Sequence, residues 1–238
     1  MPAVLVHGIP DTYRVWNRVR SHLKRSDVIA LELPGFGVPV PDDLPITADN
    51  YVDWIVAQIE AIGKPVDLVG HDFGCILTAR VASLRPDLIR SWVGISGPID
   101  PEYEPHAFAK ACMTPGVGEG MMAQMTPEDL VPQFVAAGIP EKEAASAAGF
   151  VDDAMKDAIL KLYRTQIADT NRWYEELGGA TCRSIIVWGI EDEFLPDRFA
   201  DRLGQATASD AVIKYRTGHW VPIAKAAELV QTLEAFWR

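Results

Sequence analysis

Three residues of this 238-residue chain have the types and the order that nucleophilic hydrolysis needs: an aspartate between glycines, a second acid, and a histidine near the end. Asp72 lies in Val69-Gly70-His71-Asp72-Phe73-Gly74, a G-x-nucleophile-x-G pattern in which a strand turns sharply into a helix. Both glycines are needed there because a Cβ would crowd the turn. The turn lifts the Asp72 carboxylate above the strand ends at a helix N-terminus, where negative charge is favoured. Helix capping is the plain alternative for such an Asp. Val187-Trp188-Gly189-Ile190-Glu191-Asp192 ends a strand on an acid, with Asp100, after the preceding core strand, in reserve. Thr217-Gly218-His219-Trp220 places a histidine after the last strand. Together they can serve as attacking carboxylate, orienting acid and base. His7-Gly8-Ile9-Pro10 follows the first strand, and the Ile9 N–H paired with the Phe73 N–H makes a two-donor oxyanion hole. Alone, that tetrapeptide is only a turn.

Such loops must be held by an α/β core. Short β-branched runs, Ala3 to Val6, Val28 to Leu31, Val66 to Val69, Ser91 to Ile95, Ser184 to Trp188 and Ala211 to Tyr215, read as buried strands. Helical spacing over Arg14 to Leu23, Tyr51 to Ile62 and Cys75 to Leu84 alternates with them, which predicts a mostly parallel sheet with right-handed crossovers. From Pro98 to Gly179 the chain carries helical patterns broken by Pro and Gly. We therefore expect a core over 1–97 and 180–238 and a helical cap over 98–179, inserted after the strand at about 91–96.

Composition narrows the partners. Hydrophobic residues make up 48% and charged residues 23%, as in a water-soluble globular chain. A formal charge of -11 opposes binding to nucleic acid or anionic membranes, which need clustered Lys and Arg. The cysteines Cys75, Cys112 and Cys182 have no metal spacing and cannot all pair, which makes a reduced, cytoplasmic setting the expectation. Neither an export signal nor a membrane-length apolar run is present. No cofactor is expected, since there is no G-x-G-x-x-G loop, P-loop or His/Cys metal pattern. Oligomeric state is not legible from the pattern.

The His-Gly-x-Pro loop, Leu33-Pro34-Gly35-Phe36-Gly37, Gly-His-Asp-x-Gly, Gly189-x-x-Asp192 and Gly218-His219 together resemble the epoxide hydrolase and haloalkane dehalogenase branch of the α/β-hydrolase fold, whose triad runs in the same chain order. Members usually begin with two further strands before His-Gly-x-Pro, so the resemblance implies an N-terminally trimmed sheet of about six strands. Leu162-Tyr163-Arg164 is similar to the neighbourhood of the family tyrosine that hydrogen-bonds the epoxide oxygen. The position of the second ring-opening tyrosine is Phe108, which has no donor, leaving Tyr163 alone or joined by His106 or Tyr103.

The resemblance implies that Asp72 attacks an sp³ carbon to give an alkyl ester, which water activated by His219 and Asp192 then hydrolyses. Dehalogenases of this branch hold halide with donors at the positions of Phe73 and Ile9, which lack them, leaving only Trp173 in the cap. Fluoroacetate dehalogenases place arginines just after the nucleophile, whereas here the first is Arg80. Epoxide hydrolysis on a small hydrophobic substrate is the expectation, with His7, His71, Phe108, Trp173 and Trp220 as candidate pocket residues. The alternatives are a haloalkane dehalogenase, an esterase or lactonase using Asp72 as a base, and a ligand-binding member that does not turn over.

Overall fold

The computed structural model describes the side chains of residues 1–165 and 172–238. Six strands form one sheet: β1 (Ala3–Val6), β2 (Val28–Ala30), β3 (Val66–His71), β4 (Ile89–Ile95), β5 (Arg183–Gly189) and β6 (Ala211–Tyr215). Their order is β2-β1-β3-β4-β5-β6, and every neighbouring pair is parallel. The apolar runs of β1 and β3 are buried along their whole length, as strands covered on both faces must be, while the edge strands β2 and β6 are only partly buried.

The order carries the functional geometry. From β1 the chain moves outward to β2 and then crosses back to β3 on the other side of β1. The loops after β1 and β3 therefore leave in opposite directions and open a crevice between them, the usual ligand position in such a sheet. Those loops carry Ile9 and Asp72.

The expected Arg14 to Leu23 helix is divided. A 3₁₀ turn covers Tyr13–Trp16, and α1 (Asn17–His22) follows it. Thr12 caps the turn: its side chain accepts the Arg14 N–H and its carbonyl accepts the Val15 N–H at 3.1 Å, an i→i+3 pattern. α2 (Ala48–Ile62) starts at Thr47, whose side chain accepts the Asn50 N–H, and stops at Gly63 with φ 73°, a left-handed conformation that suits a residue without a Cβ. It buries Tyr51, Val52, Ile55 and Ile59. α3 (Phe73–Leu84) is buried from Phe73 to Ala82.

Between β4 and β5 run α4 (Ala107–Met113), α5 (Val117–Gln124), α6 (Pro127–Ala136), α7 (Glu141–Ala148) and α8 (Asp153–Glu176). α8 packs on α4, α5 and α2, and Phe108 of α4, Phe134 of α6 and Tyr163 of α8 share a cavity with Ile9 and Asp72, which follow β1 and β3. The core closes with α9 (Arg198–Ala206), α10 (Val221–Ala224) and α11 (Ala226–Phe236), the last lying against α1. Among the described residues no helix is long and apolar enough to cross a membrane.

Candidate active site

At the end of β3, Asp72 adopts φ 55° and ψ -124°, a conformation that side-chain-bearing residues rarely take. It is held there by its own N–H on the Ile95 carbonyl and by the Cys75 N–H on its carbonyl, each at 2.9 Å. The two flanking glycines are steric requirements. A Cβ on Gly70 would overlap the Gly74 carbonyl and Thr78 Oγ1, and one on Gly74 would overlap the carbonyl oxygens of Val6 and His7. The Asp72 carboxylate comes to rest against the His7-Gly8-Ile9 loop, where the Ile9 N–H donates to Oδ1 at 2.7 Å.

The other oxygen, Oδ2, lies 3.4 Å from His219 Nε2. On the far side of the ring, Nδ1 is 2.8 Å from Asp192 Oδ2. Asp192 is itself fixed, because its Oδ1 accepts the N–H groups of Phe194 and Leu195, each at 2.9 Å. Its side chain is wholly buried, whereas that of Asp72 keeps 21% of its surface open. The reserve acid, Asp100, is taken up by Arg202 and by the N–H of Glu102, away from His219.

Electrostatics follow from this placement. Burial alone would discharge His219, but the carboxylates of Asp192 and Asp72 outweigh it and push its pKa up to about 10. Burial likewise acts to raise the Asp72 carboxyl, yet the His219 hydrogen bond and charge, with His71 and the Phe73 N–H, hold it below its ordinary value. At neutral pH the pair is an imidazolium beside a carboxylate. With one oxygen on the Ile9 N–H and the other beside the ring, in a residue that borders open space, Asp72 has the chemistry to attack carbon.

That space is a cavity of about 150 Å³, walled largely by Phe108, Leu130, Phe134, Tyr163, Phe194 and Trp220. Asp72, Ile9 and His219 reach it from the core side, and His106 reaches it from the start of α4. The Tyr163 hydroxyl is buried beside the charge of Asp72, which keeps its pKa well above that of a free phenol. His106 lies edge-on to Tyr163 and stacks on Phe108, at ring separations of 6.5 and 6.1–6.2 Å for His106–Tyr163 and for the contacts of Phe108.

Several expected pocket residues lie elsewhere. His7 accepts the Leu33 N–H on Nε2 at 3.2 Å and donates from Nδ1 to the Gly8 carbonyl at 2.9 Å, so it shapes the Ile9 loop from beneath. His71 donates from Nε2 to the His219 carbonyl at 3.1 Å and packs edge-on to Trp16. Burial, joined at His71 by the His219 charge, lowers both imidazoles to about 4, so neither carries charge at neutral pH. Trp173 is fully buried against the Arg80 guanidinium and does not line the cavity. Tyr103 packs edge-on to Phe199 and is absent from the cavity wall. In each case strand or helix direction, invisible in a motif, turned the side chain away.

Two groups of residues went unanticipated. Phe134 and Phe194 form much of the wall but lack a distinguishing motif. Asp11, next to Pro10, is buried and accepts the Trp220 indole N–H across 209 residues of sequence. Among the described residues no cluster of three or more His, Cys, Asp or Glu is arranged to hold a metal ion.

Known proteins share this architecture. A meta-cleavage product hydrolase from Pseudomonas fluorescens superposes with a TM-score of 0.81 at 18% identity, over 100% of this chain and 89% of that one. In sequence, the chain is 24% identical to lipase LipV of Mycobacterium tuberculosis over 251 residues, covering 97% of this chain and 90% of the lipase. It is 31% identical over 98 residues to the (E)-2-((N-methylformamido)methylene)succinate hydrolase of Acinetobacter baylyi, covering 40% of this chain and 37% of that protein. Against epoxide hydrolase 2 of Siraitia grosvenorii it is 33% identical over 102 residues, 40% of this chain and 32% of the relative. The parallel sheet, the turn at Asp72 and a match of residues 3–232 to the model of the alpha/beta hydrolase family agree, and the chain belongs to that family.

Proposed function

We propose that the protein hydrolyses small hydrophobic epoxides to vicinal diols through an ester on Asp72. The observation that carries this reading is the arrangement of Asp72: Oδ1 held by Ile9 N–H, Oδ2 beside the His219 ring in a residue that borders the cavity, and the Tyr163 phenol across the cavity, protonated at neutral pH. Oδ2 attacks a ring carbon, the carbon–oxygen bond of the ring breaks, and the ring oxygen takes a proton from Tyr163. His106 supplies a second donor in place of the missing tyrosine. Its Nδ1 accepts the Ala109 N–H at 3.4 Å, so the neutral ring carries its proton on Nε2. Burial lowers the His106 pKa and favours that neutral form.

Esterification removes the Asp72 charge, one of the two charges that raise the His219 pKa. The imidazolium then gives up its proton to restore Tyr163, and neutral His219, oriented by Asp192, takes a proton from water. Hydroxide adds to the Asp72 carboxyl carbon, and the oxyanion forms on Oδ1 under the N–H groups of Ile9 and Phe73. Collapse expels the diol, whose oxygen keeps the proton from the new carboxyl group, and regenerates the starting pair. In this reading the α4–α8 insertion acts as the cap that excludes bulk water.

Halide chemistry is less well supported. Phe73 and Ile9 offer no side-chain donor, Trp173 lies outside the cavity, and the Trp220 indole N–H is engaged by Asp11. The whole-length similarity to a lipase makes ester hydrolysis the reading to test beside epoxide opening.

The test is single turnover in ¹⁸O-water with aryl and alkyl epoxides, bromoalkanes and aryl esters, reading products and the mass of the Asp72 peptide. Diol formation with ¹⁸O entering Asp72 supports the ester route. Halide release would move the assignment to dehalogenation. Ester cleavage with unlabelled Asp72 would replace the nucleophile by a general base, and failure of every substrate with no label would overturn the proposal.

A further inference from the structure

Asp11 is an acid in an expensive place. The residue is 6% exposed, and among the described residues no ion pair involves its carboxyl group. Burying a carboxyl group with no cation beside it is unfavourable unless its oxygens are hydrogen-bonded. The Trp220 indole N–H donates to Asp11 Oδ2 at 2.9 Å.

That bond ties together the two loops that matter most. Asp11 follows the loop carrying Ile9, and Trp220 follows His219 directly. The Trp220 ring stands edge-on to the His219 imidazole at 5.0 Å and 89°, and edge-on to Phe194 at 6.0 Å and 89°. It also meets Phe134 at 6.0 Å, so one indole touches the base and two walls of the cavity. A flip of that ring would bury an unpaired N–H, which fixes its orientation as long as the acceptor is present.

We propose that Asp11 is a positioning residue: through the Trp220 indole it sets the placement of the His219 imidazole and the shape of the apolar wall facing Asp72. The carboxylate is placed to respond to its surroundings. Asp72 and His219 face it from the site, and Arg14, Arg18 and Glu143 surround a second cavity of about 170 Å³ that Asp11 lines from the other side. Arg14 is packed over the rings of Tyr13 and Phe150, and Arg18 is paired with Glu143. Burial, reinforced by the Asp72 charge, raises the Asp11 pKa to about 7 against the opposing pull of the Trp220 N–H and His219. Its ionisation changes the strength of the indole bond, because a charged acceptor makes the stronger hydrogen bond.

The kinetic arm of the test rests on the function proposed above; the spectroscopic arm does not. Full-length protein labelled with ¹⁵N at tryptophan and histidine is compared with Asp11→Leu, Asp11→Asn and Trp220→Phe, the last also assigning the Trp220 indole signal by its loss. In Asp11→Leu the Trp220 N–H signal is expected to lose its hydrogen-bonded shift and the His219 ring signals to move with it. Asp11→Asn, whose amide oxygen still accepts, keeps both near their native positions but loses their common titration near neutral pH. For any substrate turned over, Asp11→Leu and Trp220→Phe each lower kcat/KM about tenfold and the double variant falls no further, while Asp11→Asn recovers to within about threefold. Unmoved Trp220 and His219 signals in Asp11→Leu overturn the proposal, as do additive losses in the double variant. If Asp11→Leu does not fold, the His219 signals of Trp220→Phe read the same link from its other end, and native positions there overturn it. Shifted His219 signals without any epoxide turnover would leave this proposal standing and remove the epoxide reading instead.

Discussion

Asp67 and Asp72 stand at opposite ends of β3, and both carboxylates are drawn into the fold, yet their surroundings differ in kind. Asp67, wholly buried, has three charged or polar donors: Arg25 and Arg90 both pair with Oδ2, and Ser91 Oγ donates to Oδ1 at 2.6 Å. Asp72 has one backbone donor on Oδ1, a histidine 3.4 Å from Oδ2, and an open cavity. Two guanidiniums and a hydroxyl occupy three of the roughly four acceptor sites of Asp67 and neutralise its charge, in a side chain with no open surface. A single imidazolium, whose charge can be given up, leaves Asp72 both ionised and available. What separates the two carboxylates on this strand is how completely their oxygens are used, and the attack proposed for Asp72 depends on that difference.

The contrast can be broken by exchanging roles. Asp72→Asn should lower turnover by about 10⁴-fold or more while lowering the thermal midpoint modestly, since it removes the carboxylate paired with His219 but little packing; single-turnover kinetics and calorimetry read the two effects. The pair should also shape the pH dependence of stability. His219 has its folded pKa raised from 6.5 to about 10, so its contribution is complete below about pH 6.5 and is lost as pH rises toward 10. Urea midpoints of the native protein should therefore fall across that window by more than those of His219→Gln. Asp72, held below its ordinary value, contributes in the opposite sense, with stability lost as the solution is acidified through its folded pKa.

At the other end of the strand, Asp67→Asn should cost about 2–3 kcal/mol by leaving the partly exposed Arg25 and Arg90 without their shared carboxylate, with kcat/KM within about twofold of native. Denaturant unfolding and steady-state rates check it together, and a large loss of activity without loss of stability would erase the distinction. On the leaving-oxygen side, Tyr163→Phe and His106→Ala should each lower epoxide turnover by about 10- to 100-fold while sparing any ester hydrolysis. Equal losses on both substrates would assign those residues to packing instead.

Much of the sheet was legible in the sequence because buried parallel strands are continuous β-branched runs, and the six found here coincide with six such runs. The helix expected from Arg14 onward was less so, since its first turn closes through an i→i+3 bond as a 3₁₀ step, which apolar spacing does not distinguish from an α-helical turn. Asp72, Asp192 and His219 could be singled out because glycine spacing and strand ends mark them locally, and the structure brings the three side chains together. His7, His71 and Trp173 carried the same kind of chemistry in their side chains but point into hydrogen-bonded or apolar interiors.

By itself, then, the sequence determined the strand runs, the elbow and the order of its three polar residues, because these depend on backbone sterics and on the period of burial within a few residues. The tertiary structure alone decided which aspartate is held by three side-chain donors and which borders the cavity, which aromatic rings face the cavity, and that Asp11 meets Trp220 across 209 residues. Those outcomes turn on side-chain directions and on partners brought close by strand order, and neither leaves a trace in local spacing.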